Sequence, residues 1–119
     1  MTNKPTRAVP YMPPHSEMAD ALQDKDHPYH DLARALAAAY YQAALGKGAE
    51  RHGDGRAFRE QRMFTIAEGM GTEAGLIYQA NKKSQESMAM EKDAAVHELA
   101  GAIVYLAGAM LCRQSEEGE

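Results

Sequence analysis

The sequence predicts an all-α fold, a compact bundle of four to five helices behind an extended, proline-rich N-terminal arm. Apolar residues recur at the helical spacings of three and four in several segments, and glycines and prolines separate those segments. No segment alternates apolar and polar residues in the manner of a half-buried strand. With 119 residues, 45% hydrophobic and 25% charged, the chain has the size and composition of one globular domain.

The ends of the chain differ from this domain in composition. Residues 1–14 contain Pro5, Pro10, Pro13 and Pro14, which remove amide donors and fix the backbone φ angle, so we predict an extended arm there. Residues 114–119 are predicted to form an acidic tail. The helical domain is therefore expected to span residues 15–113.

Two helices are predicted in the first half of the domain. The first runs from Ser16, a suitable N-cap, to about Lys25. The second starts at Asp26-His27-Pro28 and ends near Gly46, where glycine is expected just past a helix C-terminus. Its apolar residues share one face, and the many alanines among them allow a partner helix to approach closely: Tyr29, Leu32, Ala33, Leu36, Ala37, Tyr40 and Ala44.

Three further helices are predicted in the second half. One runs from Ala57 to Glu68 and ends at Gly69-Met70-Gly71, and Thr72 caps the next. The last helix has the strongest pattern, with apolar residues at 3-4-3-4 spacing: Val96, Leu99, Ile103, Leu106 and Met110.

Gly101 and Gly108 lie seven residues apart on another face of the last helix. Two apolar faces predict burial on two sides. A glycine inside a helix costs about 1 kcal/mol relative to alanine, so both glycines indicate a close helix crossing, within the subunit or across a dimer. We therefore expect a homodimer or higher oligomer that uses this helix.

Cysteine content and apolar runs predict a cytoplasmic protein. A single cysteine, Cys112, cannot form an internal disulfide, which favours a reducing compartment, and we expect it to be a small buried hydrophobe. The N-terminus lacks the apolar region of a signal peptide. The longest apolar run, residues 99–112, is too short to span a bilayer, so no membrane association is expected.

The charge distribution points to the middle of the chain as a site for an anion. The net charge of -4 excludes a general affinity for duplex nucleic acid. Residues 46–83, however, contain seven Lys or Arg against five acids, whereas residues 84–119 contain two against seven.

Residues 46–56 form the most informative loop. Its glycines let backbone amides turn toward a ligand, and its cationic side chains are suited to phosphate. It lacks the Gly-Lys-Ser/Thr ending of a P-loop, and a helix C-cap followed by a solvated turn is the alternative interpretation. The predicted ligand-binding residues are Lys47, Arg51, His52, Arg56, Arg59, Arg62 and Lys83.

His27 and His30 lie three apart at a helix start, a spacing that can place two imidazoles on one face for a metal ion. Caps and turns explain the neighbouring aspartates equally well, and no metal site is predicted. Catalytic residues and cofactors are not predicted either. No Ser or His is placed as a partner for Cys112 in nucleophilic catalysis.

Several segments within residues 28–112 resemble small uncharacterised phage and prophage proteins: Gly46-Lys47-Gly48-Ala49-Glu50-Arg51-His52-Gly53, Phe58 to Gln61, Gln79 to Ser87, and Glu98-Leu99-Ala100-Gly101-Ala102-Ile103-Val104-Tyr105. That resemblance implies a viral accessory protein in the host cytoplasm. The last segment is also distantly similar to the all-α nucleoside triphosphate pyrophosphohydrolases of the MazG type. Their Glu-x-x-Asp metal motif would be Glu98 followed by Gly101 here, and their Glu-Glu-x-x-Glu motif is missing.

Three functions are therefore compared. The first is the binding of a phosphorylated nucleotide or similar anion, without catalysis. The second is protein–protein interaction, as in a phage inhibitor of a host enzyme or defence system, through helix faces and the arm. The third is a divergent pyrophosphohydrolase that uses Glu86, Glu91 and Glu98.

Overall fold

The all-α fold is confirmed in a computed structural model that describes residues 15–46 and 56–118. Within these residues the structure contains no strand. The predicted arm of residues 1–14 and the loop residues 47–55 lie outside the described part. The helices are α1 (His15–Gln23), α2 (His30–Ala44), α3 (Arg62–Met70), α4 (Ala74–Ser87) and α5 (Lys92–Gly118), with one 3-10 turn at Phe58–Glu60.

Helix α2 starts later than its sequence indicates, because side chains stabilise turns between Asp24 and Tyr29. The backbone N–H of Asp26 donates to Asp24 Oδ1 (2.9 Å), and that of Tyr29 donates to His27 Nδ1 (3.0 Å). The ring of His30 then connects α2 to α1, since its Nδ1 lies 2.8 Å from the carbonyl oxygen of Ala21. These bonds set the angle at which α1 packs on α2.

The predicted helix over residues 57–68 is interrupted. After the 3-10 turn, Gln61 is extended (φ -74°, ψ 156°), and α3 starts at Arg62. In a continuous helix Phe58 and Phe64, six residues apart, would point in different directions. The break lets the two rings pack edge to face with their centroids 6.3 Å apart. Gly71, in the left-handed region at φ 74°, ends α3 as the sequence predicts.

Helices α4 and α5 form the most extensively packed pair, and α2 lies on a second side of α5. Gly101 and Gly108 of α5 both face the body of the same chain. A Cβ atom on Gly101 would lie 3.2 Å from Lys83 Cδ, and one on Gly108 would lie 3.4 Å from Leu76 Cδ1. The close crossing that these glycines indicate is therefore made within the subunit.

Small residues dominate the buried core. Of the eleven buried hydrophobic residues described, eight are alanine, and the others are Phe64, Leu76 and Cys112. Burial of Cys112 confirms its predicted place in the core. Phe64 is the only large side chain that is fully buried among the described residues. The main cluster combines it with Ala67, Leu76, Ala109 and Cys112, where α3, α4 and the second half of α5 meet.

Candidate functional site

Large apolar side chains are exposed on α5, as they are on α2 and on other helices. The 3-4-3-4 residues Val96, Leu99, Ile103, Leu106 and Met110, here named the α5 seam, lie outside the buried core, with Ile103 half-buried and the other four exposed. Leu99 is 43% exposed, Leu106 46% and Met110 53%. Helices α4 and α2 pack on two sides of α5, and the Gly/Ala face is buried, whereas the α5 seam is left largely exposed.

A groove runs beside the seam, between α2, α5 and the 3-10 turn. Its volume is about 660 Å³, and its walls are mainly apolar, with Leu36 and Tyr40 on α2 and Ile103 and Leu111 on α5. Alanines at positions 39, 43 and 44 of α2 leave the space that larger side chains would fill. The groove therefore exists because the α2 wall is built from alanine.

Ile103 connects the groove to the seam, since it lines the groove and stands at the middle of the 3-4-3-4 pattern. Leu36 and Tyr40, 38% and 67% exposed, lie across the groove from it. We name the α5 seam together with Leu36 and Tyr40 the apolar face. None of these residues is among the predicted ligand-binding residues, although the sequence predicts an oligomer that uses α5.

The predicted anion-binding residues are only partly described. Lys47, Arg51 and His52 lie outside the described residues. Arg56 is exposed and lines the groove. Arg59 places its guanidinium carbon 5.1 Å from the centroid of the Phe64 ring, a cation–π contact that helps to cover the core. Arg62 is exposed at the first position of α3. Of these three arginines, the structure places only Arg56 on the groove wall.

Lys83 lies elsewhere, between α4 and α5. Its Nζ atom is 3.6 Å from Glu98 Oε2 and 5.9 Å from the centroid of the Tyr105 ring, and its side chain covers Gly101. Both charged side chains are partly shielded, with 26% exposure for Lys83 and 18% for Glu98. Lys83 thus joins two helices and does not line the groove.

The carboxylates considered for a pyrophosphohydrolase are separately engaged. Glu98 pairs with Lys83, Glu86 Oε2 lies 3.8 Å from Lys82 Nζ on the same helix, and Glu91 Oε1 accepts a hydrogen bond from the N–H of Asp93. Within residues 15–46 and 56–118, no three His, Cys, Asp or Glu side chains converge as metal ligands. The hydrolase hypothesis stays a prediction.

The two histidines at the start of α2 have structural contacts. His27 Nε2 lies 3.4 Å from Glu17 Oε2, while its Nδ1 accepts the amide hydrogen of Tyr29. His30 contacts the carbonyl oxygen of Ala21. These contacts agree with the interpretation of this segment as a cap and turn.

An ion pair connects the start of α4 to the end of α5. Arg113 Nη2 donates to Glu73 Oε2 at 2.6 Å. This hydrogen bond, followed by a backbone hydrogen bond, lowers the pKa of Glu73 below its ordinary value of 4.5, against a smaller opposing effect of burial. The pair joins α4 and α5 at the protein surface.

Helix α5 is also long enough to cross a membrane. The 23 residues Lys92–Gln114 have the length and apolar composition of a membrane-spanning helix. The shorter run of residues 99–112 would not be long enough by itself. Core helices of soluble proteins meet the same criteria but are mostly buried, whereas 28% of this segment is buried. This feature is therefore weak evidence about location.

Comparison with known proteins finds no matching family model, no matching curated protein and no matching solved structure.

Proposed function

We propose that the protein is a protein–protein interaction module and that the apolar face is its binding surface. One observation supports the proposal: small apolar residues fill the core, while many large apolar residues are exposed. The described core is mainly alanine, whereas Leu36, Tyr40, Leu99, Leu106 and Met110 are at least 38% exposed. Large contiguous apolar patches on a soluble chain mark interaction sites.

The composition of the face supports binding to protein. The cores of interfaces are enriched in aromatic residues and methionine and depleted of charge, and they are surrounded by polar residues. The apolar face contains Tyr40 and Met110 and no ionisable Lys, Arg, Asp or Glu, while Arg56 and Gln61 stand at the groove. A partner would bury the face and meet these polar groups at its edge.

We propose that this function is carried out in the cytoplasm, because charged and polar groups that contact α5 oppose its insertion into a membrane. The helix carries Glu98, which pairs with Lys83 of α4. Helix α4 also carries Asn81, Lys82 and Gln85, all exposed. Insertion of α5 into a bilayer would break this pair or carry charged side chains of α4 into hydrocarbon, which is costly.

Photo-cross-linking in cells tests the proposal. A photoreactive amino acid in place of Leu106 should form a covalent adduct with a protein, identified by mass spectrometry. The same group in place of Met88, which is 86% exposed and lies outside the apolar face, is the matched control. Adducts at both positions in equal yield, or at neither, would contradict the proposal.

Anion binding is the second candidate, and one observation favours it. Arg56 lines the groove and directly follows the segment that contains Lys47, Arg51 and His52. Titration calorimetry with nucleotides should show binding in the wild type and at least tenfold weaker binding in Arg56→Gln. Arg34→Gln, at an exposed position of α2, is the control. No heat at millimolar nucleotide in the wild type would exclude this candidate.

A further inference from the structure

We infer that the protein on the apolar face is a second copy of this chain, so that two chains form a symmetric homodimer through the α5 seam. The inference rests on the proposed function, since it names the partner of the same surface. A host protein on the face is the alternative that the experiment separates.

The first argument is the spacing of the seam. Apolar residues at 3-4-3-4 intervals are the pattern by which one helix packs against another of the same kind. From Val96 to Met110 the seam extends about 21 Å along the helix. A partner that packs along the seam needs an uncharged apolar stripe of the same length on one of its own helices. Helix α5 of a second copy has such a stripe.

The second argument is the symmetry of the seam about its centre. Ile103 lies seven residues after Val96 and seven before Met110. Full overlap of two seams, in either relative direction, therefore places the two copies of Ile103 beside each other at the twofold axis.

The third argument is area. An aromatic side chain has roughly 150–250 Å² of surface, and aliphatic side chains are smaller. Six residues of the apolar face, all except Ile103, are 38–67% exposed, which leaves on the order of 500 Å² accessible. That value is in the upper half of the range for patches on monomers, about 300–600 Å². Two such faces together reach the roughly 1,000 Å² that a specific interface needs.

Solution mass is the first measurement. Light scattering after gel filtration at about 50 µM chain should give twice the mass of one chain. Leu99→Glu combined with Leu106→Glu should give the mass of one chain, because four carboxylates cannot be buried in the seam. Met88→Glu, outside the face, should stay dimeric. Circular dichroism checks that the charged variant keeps its helices.

Disulfide trapping is the second measurement, and it remains informative if the charged variant unfolds. Ile103→Cys in a Cys112→Ala background should form a disulfide-linked dimer on mild oxidation, since the two copies of position 103 face each other at the axis. Gln85→Cys, exposed on α4, should not.

The outcomes distinguish the two proposals. A wild type with the mass of one chain, without a disulfide at position 103, overturns the homodimer. If photo-cross-linking at position 106 then yields a different protein, the interaction module stands with that protein as partner. If it yields no adduct, both proposals fail.

Discussion

Phe64 lies at the centre of the main buried cluster. It is 0% exposed, packs edge to face against Phe58, and is covered by the guanidinium of Arg59. The other buried members of the cluster surround it, and larger side chains pack against the cluster from outside: Phe58, Met63, Tyr105 and Leu111. The stability of the junction between α3, α4 and α5 therefore depends strongly on this one ring.

Phe64→Ala should lower the free energy of unfolding by about 3–5 kcal/mol, the usual cost of removing a buried aromatic ring. Urea unfolding followed by circular dichroism measures the change. Ile66→Ala, on the same helix and 54% exposed, should change it by no more than about 0.5 kcal/mol. Equal effects of the two substitutions would contradict the assigned core.

The pair of Arg113 and Glu73 predicts a dependence on pH. Because the folded-state pKa of Glu73 lies below 4.5, the pair stabilises the fold above that pH. This stabilisation is lost as the pH falls through the folded-state pKa. In Arg113→Gln, the pKa of Glu73 should rise toward its ordinary value, as measured by carboxyl NMR titration.

The stability difference between the wild type and Arg113→Gln should accordingly be largest near pH 7 and decrease at pH 3. Lys82→Gln, which removes an exposed pair within α4, should leave the pKa of Glu73 unchanged. A Glu73 pKa that is the same with and without Arg113 would show that the ion pair does not form.

At the scale of the element, α5 has two different apolar faces with different roles. Its glycines and alanines pack against α4 and α2, and its seam remains open. A Cβ on Gly108 would make ordinary contact, at 3.4 Å from Leu76 Cδ1 and 3.6 Å from Met63 Cε. The site thus has room for one methyl group and no more.

Gly108→Ala should stabilise the fold by up to about 1 kcal/mol, because alanine favours the helix and its Cβ fits. Gly108→Leu should destabilise it by about 1–3 kcal/mol through overpacking. Thermal unfolding at one fixed protein concentration measures both, since association shifts the midpoint. Tolerance of leucine would mean that Gly108 does not face α4.

At the scale of the whole molecule, sequence periodicity predicted the class of fold and most helix positions. Gly71, which ends α3, and the apolar spacing of the α5 seam could both be recognised in the sequence. The break at Gln61 was not, because it depends on the contact between Phe58 and Phe64, and propensity within residues 57–68 contains no information about that contact. Local signals were sufficient wherever local interactions determine the structure.

The candidate site was less predictable for a related reason. Periodicity identifies an apolar face but does not say which neighbour covers it, so the open seam of α5 became evident only once α2 and α4 were placed. Lys83 was grouped with the loop by its charge, whereas in the structure it pairs with Glu98. Net charge along the chain does not reveal which cations are already paired.

The chain's own methionines give the most direct test that the apolar face is covered by protein. Met110 belongs to the face and is 53% exposed in the single chain, while Met88 lies outside it and is 86% exposed. Under mild peroxide oxidation followed by mass spectrometry, we predict rapid oxidation of Met88 and strong protection of Met110. That protection should disappear in Leu99→Glu with Leu106→Glu. If Met110 of the purified wild type is oxidised in proportion to its exposure in the single chain, no second copy covers the face and the homodimer is wrong.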